Sequence, residues 1–147
     1  MFHIFLGKRS VDVYSQSVEA AIHPSSNDIR VLIADDNPLF VEMIDAMLTA
    51  EGIDVVGRAS DGQEALEQTL KLGPDVTLMD ISMPVLDGIE ATRRIREHRP
   101  DACVLVLTGS KAVSDIDRAR KAGAAAFLSK DHIASELIST ISELAGK

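Results

Sequence analysis

Cysteine occurs once in the 147 residues, tyrosine once and tryptophan never. A lone Cys103 excludes an intramolecular disulfide, and its place inside an apolar strand-like run suits a small buried hydrophobe. Positive charge is short as well. Fifteen Lys and Arg against 23 Asp and Glu leave a net charge of −8. That balance argues against general nucleic-acid or anionic-membrane binding, because phosphates would be repelled. No apolar run approaches the roughly 18 residues that a membrane span needs. The start, Met1-Phe2-His3-Ile4-Phe5-Leu6-Gly7, is apolar but short. Its basic residues, Lys8 and Arg9, follow the run, which is the wrong order for a secretory signal. The four histidines, His3, His23, His98 and His132, show no metal-ligand spacing. What remains is ordinary globular composition, 46% hydrophobic and 26% charged, at the length of one domain. A cytoplasmic setting fits these features.

Two regions differ in character. Residues 1–28 are rich in Ser with Pro24 and Asn27, and they read as a flexible arm. From residue 29 to 147 short apolar runs alternate with helical periodicity five times. Strands are expected near 30–34, 53–58, 76–79, 103–107 and 125–128. The first helix opens at Asn37-Pro38, a cap followed by proline at the first helical position. Its apolar face is Phe40, Met43, Ile44, Met47 and Leu48. The second carries Asp61 and Glu64 in capping-box spacing and stops at Gly73-Pro74. Further helices are expected over 88–98 and 113–121, and a fifth carries Ile133, Leu137, Ile138, Ile141 and Leu144 on one side. Arg93, Arg94, Arg96 and Arg99 on the third helix read as a solvated face.

Strands without alternation are buried on both faces, which implies a parallel sheet covered by helices. The fold class is therefore α/β, a doubly wound five-stranded parallel sheet of order 2-1-3-4-5, flavodoxin-like in topology. Ligands bind such sheets at the carboxyl ends of the strands, at the switch point between the first and third. Those ends carry Asp35-Asp36, Asp80, Thr108 and Lys130. One Asp at a strand end is commonly a helix cap. All five in register are not explained that way. Three carboxylates repel one another and raise one another's pKa unless a cation relieves them. Oxygen ligands suit Mg²⁺, and a carboxylate can act as a nucleophile toward a phosphoryl group.

The chain resembles the receiver domain of bacterial response regulators, which act in two-component signalling. The resemblance rests on Val31-Leu32-Ile33-Ala34-Asp35-Asp36, Leu78-Met79-Asp80-Ile81-Ser82-Met83-Pro84-Val85-Leu86-Asp87-Gly88, Val106-Leu107-Thr108-Gly109 and Gly123-Ala124-Ala125-Ala126-Phe127-Leu128-Ser129-Lys130. It implies that Asp80 is the phosphoacceptor. It also implies that Mg²⁺ is held by Asp35, Asp36, Asp80 and the Ser82 carbonyl. Thr108 would sense the phosphoryl group, Lys130 would pair with it, and Gly109 would leave it room. Phe127 would stand at the switch position, free to swing inward once Thr108 moves toward Asp80. The phosphoryl donor would be a histidine kinase or a histidine-phosphotransfer protein. A downstream protein would read the state from the face formed by the fourth helix, fifth strand and fifth helix. A weak homodimer stays open, and neither nucleic acid nor membrane is an expected partner of this chain.

Two features depart from the commonest receivers. Asp131 follows Lys130 where proline is usual, which argues against a cis bond there. Phe127 has no phenolic hydroxyl. Asn37-Pro38-Leu39-Phe40 and Lys130-Asp131 are most like receivers of regulators with a helix-turn-helix output domain. No output domain is expected in the residues after Lys130. Two further readings remain: a degenerate receiver serving only as a docking module, and the truncated receiver of a DNA-binding regulator. An Asp-nucleophile phosphohydrolase would need a second Asp at position 82, which is Ser82. A flavodoxin-like cofactor carrier would need a phosphate loop where Asp35-Asp36-Asn37 would repel phosphate.

Overall fold

The computed structural model describes residues 2–4, 29–109 and 113–146. Its elements in chain order are β1 (Phe2–Ile4), β2 (Arg30–Ala34), α1 (Pro38–Ala50), β3 (Asp54–Ala59), α2 (Gly62–Leu72) and β4 (Val76–Asp80). These are followed by α3 (Gly88–His98), β5 (Val104–Thr108), α4 (Val113–Ala122), β6 (Ala126–Ser129), a 3-10 turn (Lys130–His132) and α5 (Ile133–Ala145). No cis peptide bond occurs among the described residues.

Capping chemistry sets the helix starts. Asn37 Oδ1 accepts from the backbone N–H groups of Leu39 and Phe40, 3.0 and 3.3 Å away, with Pro38 inside the first turn. Asp61 accepts from the Glu64 N–H at 2.7 Å, and the Glu64 carboxylate reaches back to the Ser60 N–H at 2.7 Å. Gly73, at φ 57°, closes α2 in the left-handed region that favours glycine.

The sheet order is β1-β6-β5-β4-β2-β3. Its five parallel strands, β2 to β6, have the expected order 2-1-3-4-5. Every residue of β4, β5 and β6 is buried. Side chains alternate between two cores. Val31, Ile33, Leu78, Leu105 and Leu128 pack with Ile44 and Leu48 of α1 and Leu137 and Ile141 of α5. Met79, Val104, Val106 and Phe127 pack on the other face with Ala65, Ala91, Ile95 and Ala119 from α2, α3 and α4.

Three expectations need correction. Residues 1–28 were expected to form a flexible arm, yet Phe2–Ile4 pair antiparallel with β6 as a sixth, edge strand. The remainder of that arm lies outside the described residues. Met43 does not join the α1 core but is 46% exposed. The buried stripe runs through Val41, Ile44 and Leu48, and Met43 stands about 100° round the helix from Ile44. The arginines of α3 divide. Arg93 and Arg94 pair with Glu90 on the solvated face, with Arg93 also on Glu97. Arg96 and Arg99 instead turn inward and donate to the carbonyls of Ala102 and Leu70.

Candidate phosphoryl and metal site

Four strands deliver the site. β2 ends at Ala34, so Asp35 and Asp36 stand just beyond the sheet. The Asp35 N–H still donates to the Ala59 carbonyl at 2.9 Å, which keeps the residue in line with β2. Asp80 is the last residue of β4 and Thr108 the last of β5, and both are buried. Thr108 lies opposite Ser129 in the β5–β6 register, so Lys130 follows directly at the same edge.

Carboxylate oxygens of Asp35, Asp36 and Asp80 lie within 4.8 Å of one another. Asp35 and Asp80 are buried, whereas Asp36 faces solvent. Lys130 Nζ stands 2.7 Å from Asp35 Oδ2 and 3.2 Å from Asp80 Oδ1. The second oxygen of Asp35 accepts from the Asn37 N–H at 2.8 Å. Burial, reinforced by the charge of Asp35, pushes the Asp80 carboxyl up to about 6 against the attraction of Lys130. Burial of Lys130 opposes its charge, but the hydrogen bond to Asp35 and the charge of Asp80 outweigh this and raise its pKa.

Three acids against one ammonium leave negative charge uncompensated at a partly buried site. Carboxylates at this spacing are a donor set for a hard divalent cation, and Mg²⁺ takes only a few carboxylates alongside water. The residues present therefore fit the metal.

The loop after β4 is shaped by close backbone packing. A Cβ on Gly88 would lie 1.9 Å from the Asp80 carbonyl oxygen, and one on Gly62 would lie 1.7 Å from that of Leu86. Only glycine allows these approaches. The Ile81 carbonyl accepts from the Gly88 N–H at 2.8 Å and the Met83 N–H at 3.2 Å, which curls residues 81–88 back toward Asp80. Ser82 lies exposed within this curl. At its tip Val85 adopts φ 71° and is 80% exposed, an outlier for a β-branched residue. Among the described residues, a Cβ on Gly109 would meet nothing within 4 Å.

Phe127 departs from expectation. The resemblance implies a ring free to swing inward, yet Phe127 is already 2% exposed, in the cluster with Val106, Ala119 and Ala124. Period-two alternation on β6 turns it into that core, opposite to Ala126 and Leu128. Sequence reasoning also missed a member of the site. Lys130 Nζ sits 4.2 Å from the centroid of the Phe40 ring, a cation–π contact. Phe40 was assigned to the core face of the first helix. Its spacing alone carried no sign of Lys130.

Cys103 lies at the opposite edge of the sheet, beside a cavity of about 270 Å³ that Thr69, Asp75, Thr77 and Arg99 also line. Burial pushes its thiol up to about 11, so it stays protonated at neutral pH. Among the described residues no helix is long and apolar enough to cross a membrane.

Comparison with known proteins agrees with this geometry. Residues 31–142 match the family model of the response regulator receiver domain. The transcriptional regulatory protein PdtaR of Mycobacterium tuberculosis is 45% identical over 112 residues, which are 76% of this chain and 54% of that protein. The chain spans about half the length of the curated relatives it matches. Among solved structures, the receiver domain of NarL from M. tuberculosis superposes with TM-score 0.77 at 34% identity, covering 80% of this chain and 96% of that one. The receiver domain of the sensor histidine kinase PA1611 from Pseudomonas aeruginosa has TM-score 0.74 at 30% identity, covering 81% and 98%. That structure has a magnesium ion coordinated in its active-site cleft.

Proposed function

The chain belongs to the response regulator receiver family, and from that premise we propose that it is a phosphorylation-controlled switch with Asp80 as phosphoacceptor. The observation that carries this reading is the meeting of Asp35, Asp36 and Asp80 with the ammonium of Lys130. Asp80 is buried and is the member of the acidic set that is itself the last residue of a central strand.

In the proposed step an Asp80 carboxylate oxygen attacks phosphorus. A P–O bond of an acyl-phosphate donor, or the P–N bond of a phosphohistidine, breaks as the new P–O bond forms. The leaving group departs with the electron pair and, if imidazole, takes a proton from solvent. Asp35, Asp36, Asp80 and the Ser82 carbonyl would hold Mg²⁺, whose charge would offset that of the carboxylates and phosphoryl oxygens. Lys130 would release Asp80 and pair with a phosphoryl oxygen while Asp35 and the Phe40 ring retain it. The Thr108 hydroxyl would donate to another, and such a charge-assisted bond is worth roughly 1.5–3 kcal/mol. That difference between states would shift the population read by a partner.

A histidine kinase or histidine-phosphotransfer protein would supply the phosphoryl group, within the cytoplasm. The face of α4, β6 and α5 would present the result to a downstream protein. Since Phe127 is already inside the core, the change would pass through the backbone of Thr108–Gly109 and α4, not through a rotation of that ring. NMR with beryllofluoride, an acyl-phosphate mimic, tests the reading. With Mg²⁺, the amides of Ser82, Thr108 and Gly109 should shift, and residues of α4 should follow. In Thr108→Ala the first group should still shift while α4 responds weakly. Equal α4 shifts in both proteins would refute the coupling. No shift at all would favour a docking module without phosphorylation.

A further inference from the structure

The two edges of the sheet are protected by different means. On one side β3 reads Asp54-Val55-Val56-Gly57-Arg58-Ala59. It carries Asp54 at its start, Arg58 one residue before its end and a glycine between them, and its register with β2 shifts between Val31 and Leu32. Charges, glycine and irregular pairing all discourage another strand from adding there. On the other side β6 reads Ala126-Phe127-Leu128-Ser129, without charge, proline or glycine. Nothing in its sequence guards the edge. The protection is supplied instead by β1, with Phe2 opposite Leu128, His3 opposite Phe127 and Ile4 opposite Ala126.

The polarity of β1 is informative. The strands from β2 to β6 run parallel, and β1 alone is antiparallel. When two identical sheets join edge to edge about a two-fold axis, symmetry makes the paired edge strands antiparallel. β1 therefore occupies the place, and has the direction, of the β6 strand of a second copy.

We propose that β1 is a tethered plug that blocks self-association of this chain through the β6 edge. With β1 in place the edge is filled. With β1 released, two β6 strands pair and join two sheets into one. A three-residue strand makes few ladder bonds, so free in solution it would not hold. Covalently joined to the same chain, it competes for the edge as an intramolecular partner. That favours the plug over a second copy at micromolar protein. A factor that binds residues 1–28 would remove the plug. β6 leads directly into Lys130, so edge pairing would also abut the acidic site. The inference does not depend on phosphorylation of Asp80.

The test uses the full chain with proline in β1, because proline cannot donate to a ladder. His3→Pro strikes one set of alternating amides, and the double variant Phe2→Pro/Ile4→Pro strikes the other. Whichever set faces β6, one of the two variants should release the plug. His3→Val keeps a strand former and serves as control. Hydrogen exchange at whichever of Phe127 or Leu128 donates toward β1 should quicken by roughly tenfold or more in the effective variant, while amides of β4 stay protected. Sedimentation velocity from low to high micromolar should then find monomeric wild type and His3→Val, and a concentration-dependent dimer for the released variant. The plug is refuted if β6 exchange is unchanged in both proline variants. It is refuted equally if exchange quickens but the protein stays monomeric, or if wild type already dimerises by exchanging β1. Acetyl-phosphate labelling of Asp80 should be the same in wild type and variants, so failure of the phosphorylation reading would show separately.

Discussion

Replacing Asp80 with asparagine should make the metal-free protein more stable at neutral pH, although it removes one of the two carboxylates that pair with Lys130. The carboxyl is moved from an ordinary 3.8 to about 6, chiefly by burial and then by Asp35. Each pKa unit corresponds to about 1.4 kcal/mol, so ionised Asp80 costs at most about 3 kcal/mol relative to a neutral group. The attraction of Lys130 is already contained in that shift. Asparagine is neutral, nearly isosteric and still accepts a hydrogen bond from Lys130. A gain of about 1–3 kcal/mol is expected at pH 7.5, or roughly 3–10 °C in Tm for a domain of this size. The pH dependence fixes the cause. Between pH 3.8 and about 6 the folded state keeps a proton that the unfolded state has lost. Wild-type stability from this group therefore falls as pH rises through that window and is level above it. The advantage of Asp80→Asn should be absent near pH 4, grow to pH 6 and then stay constant. Thermal and urea melts in EDTA read it directly. A variant less stable than wild type at pH 7.5, or one whose gain is the same at pH 4, would refute the account of a crowded, desolvated acid.

Three further outcomes follow. Asp36→Asn should weaken Mg²⁺ binding in a calorimetric titration yet raise the EDTA melting temperature slightly, since an exposed like charge and a metal ligand are removed together; a fall of several degrees in EDTA would contradict the cluster. Val85→Gly should stabilise the protein by about 1 kcal/mol in urea denaturation, because φ 71° is strained for valine and open to glycine; a loss of stability would mean that the Val85 side chain contributes more than its exposure suggests. Phe40→Leu combined with Lys130→Met in a double-mutant cycle should show a coupling of about 0.5–1 kcal/mol, and a coupling near zero would reduce the 4.2 Å contact to coincidence.

The site was legible because a parallel sheet places all its carboxyl ends along one edge. Asp35, Asp36, Asp80, Thr108 and Lys130 each follow a buried run, so topology alone brings them together. Features set by contacts across the chain were not legible. Phe40 and Lys130 meet only in the folded chain, where α1 packs on β2 and β3 while Lys130 leaves the end of β6, and nothing near Phe40 in sequence marks an ammonium. The edge strand β1 was hidden because Phe2-His3-Ile4 is too short to show a period, and its partner lies beyond residue 125. The motif around Gly88 could be quoted, but the clash with the Asp80 carbonyl that demands glycine is visible only in the fold. Val85 runs against its own propensity, since a β-branched residue gives no hint of left-handed backbone. Phe127 shows the reverse limit. It lies on the expected strand, but its orientation was set by alternation on β6 and by the small residues Ala119 and Ala124 in its cluster.

Intact mass spectrometry after incubation with acetyl phosphate tests the central claim most directly. Wild type with Mg²⁺ should gain the mass of one phosphoryl group, lose it in the presence of a chelator, and show no gain in Asp80→Asn. Full modification of Asp80→Asn, or modification of wild type that is indifferent to the chelator, would contradict the assignment of Asp80 and the acidic metal site.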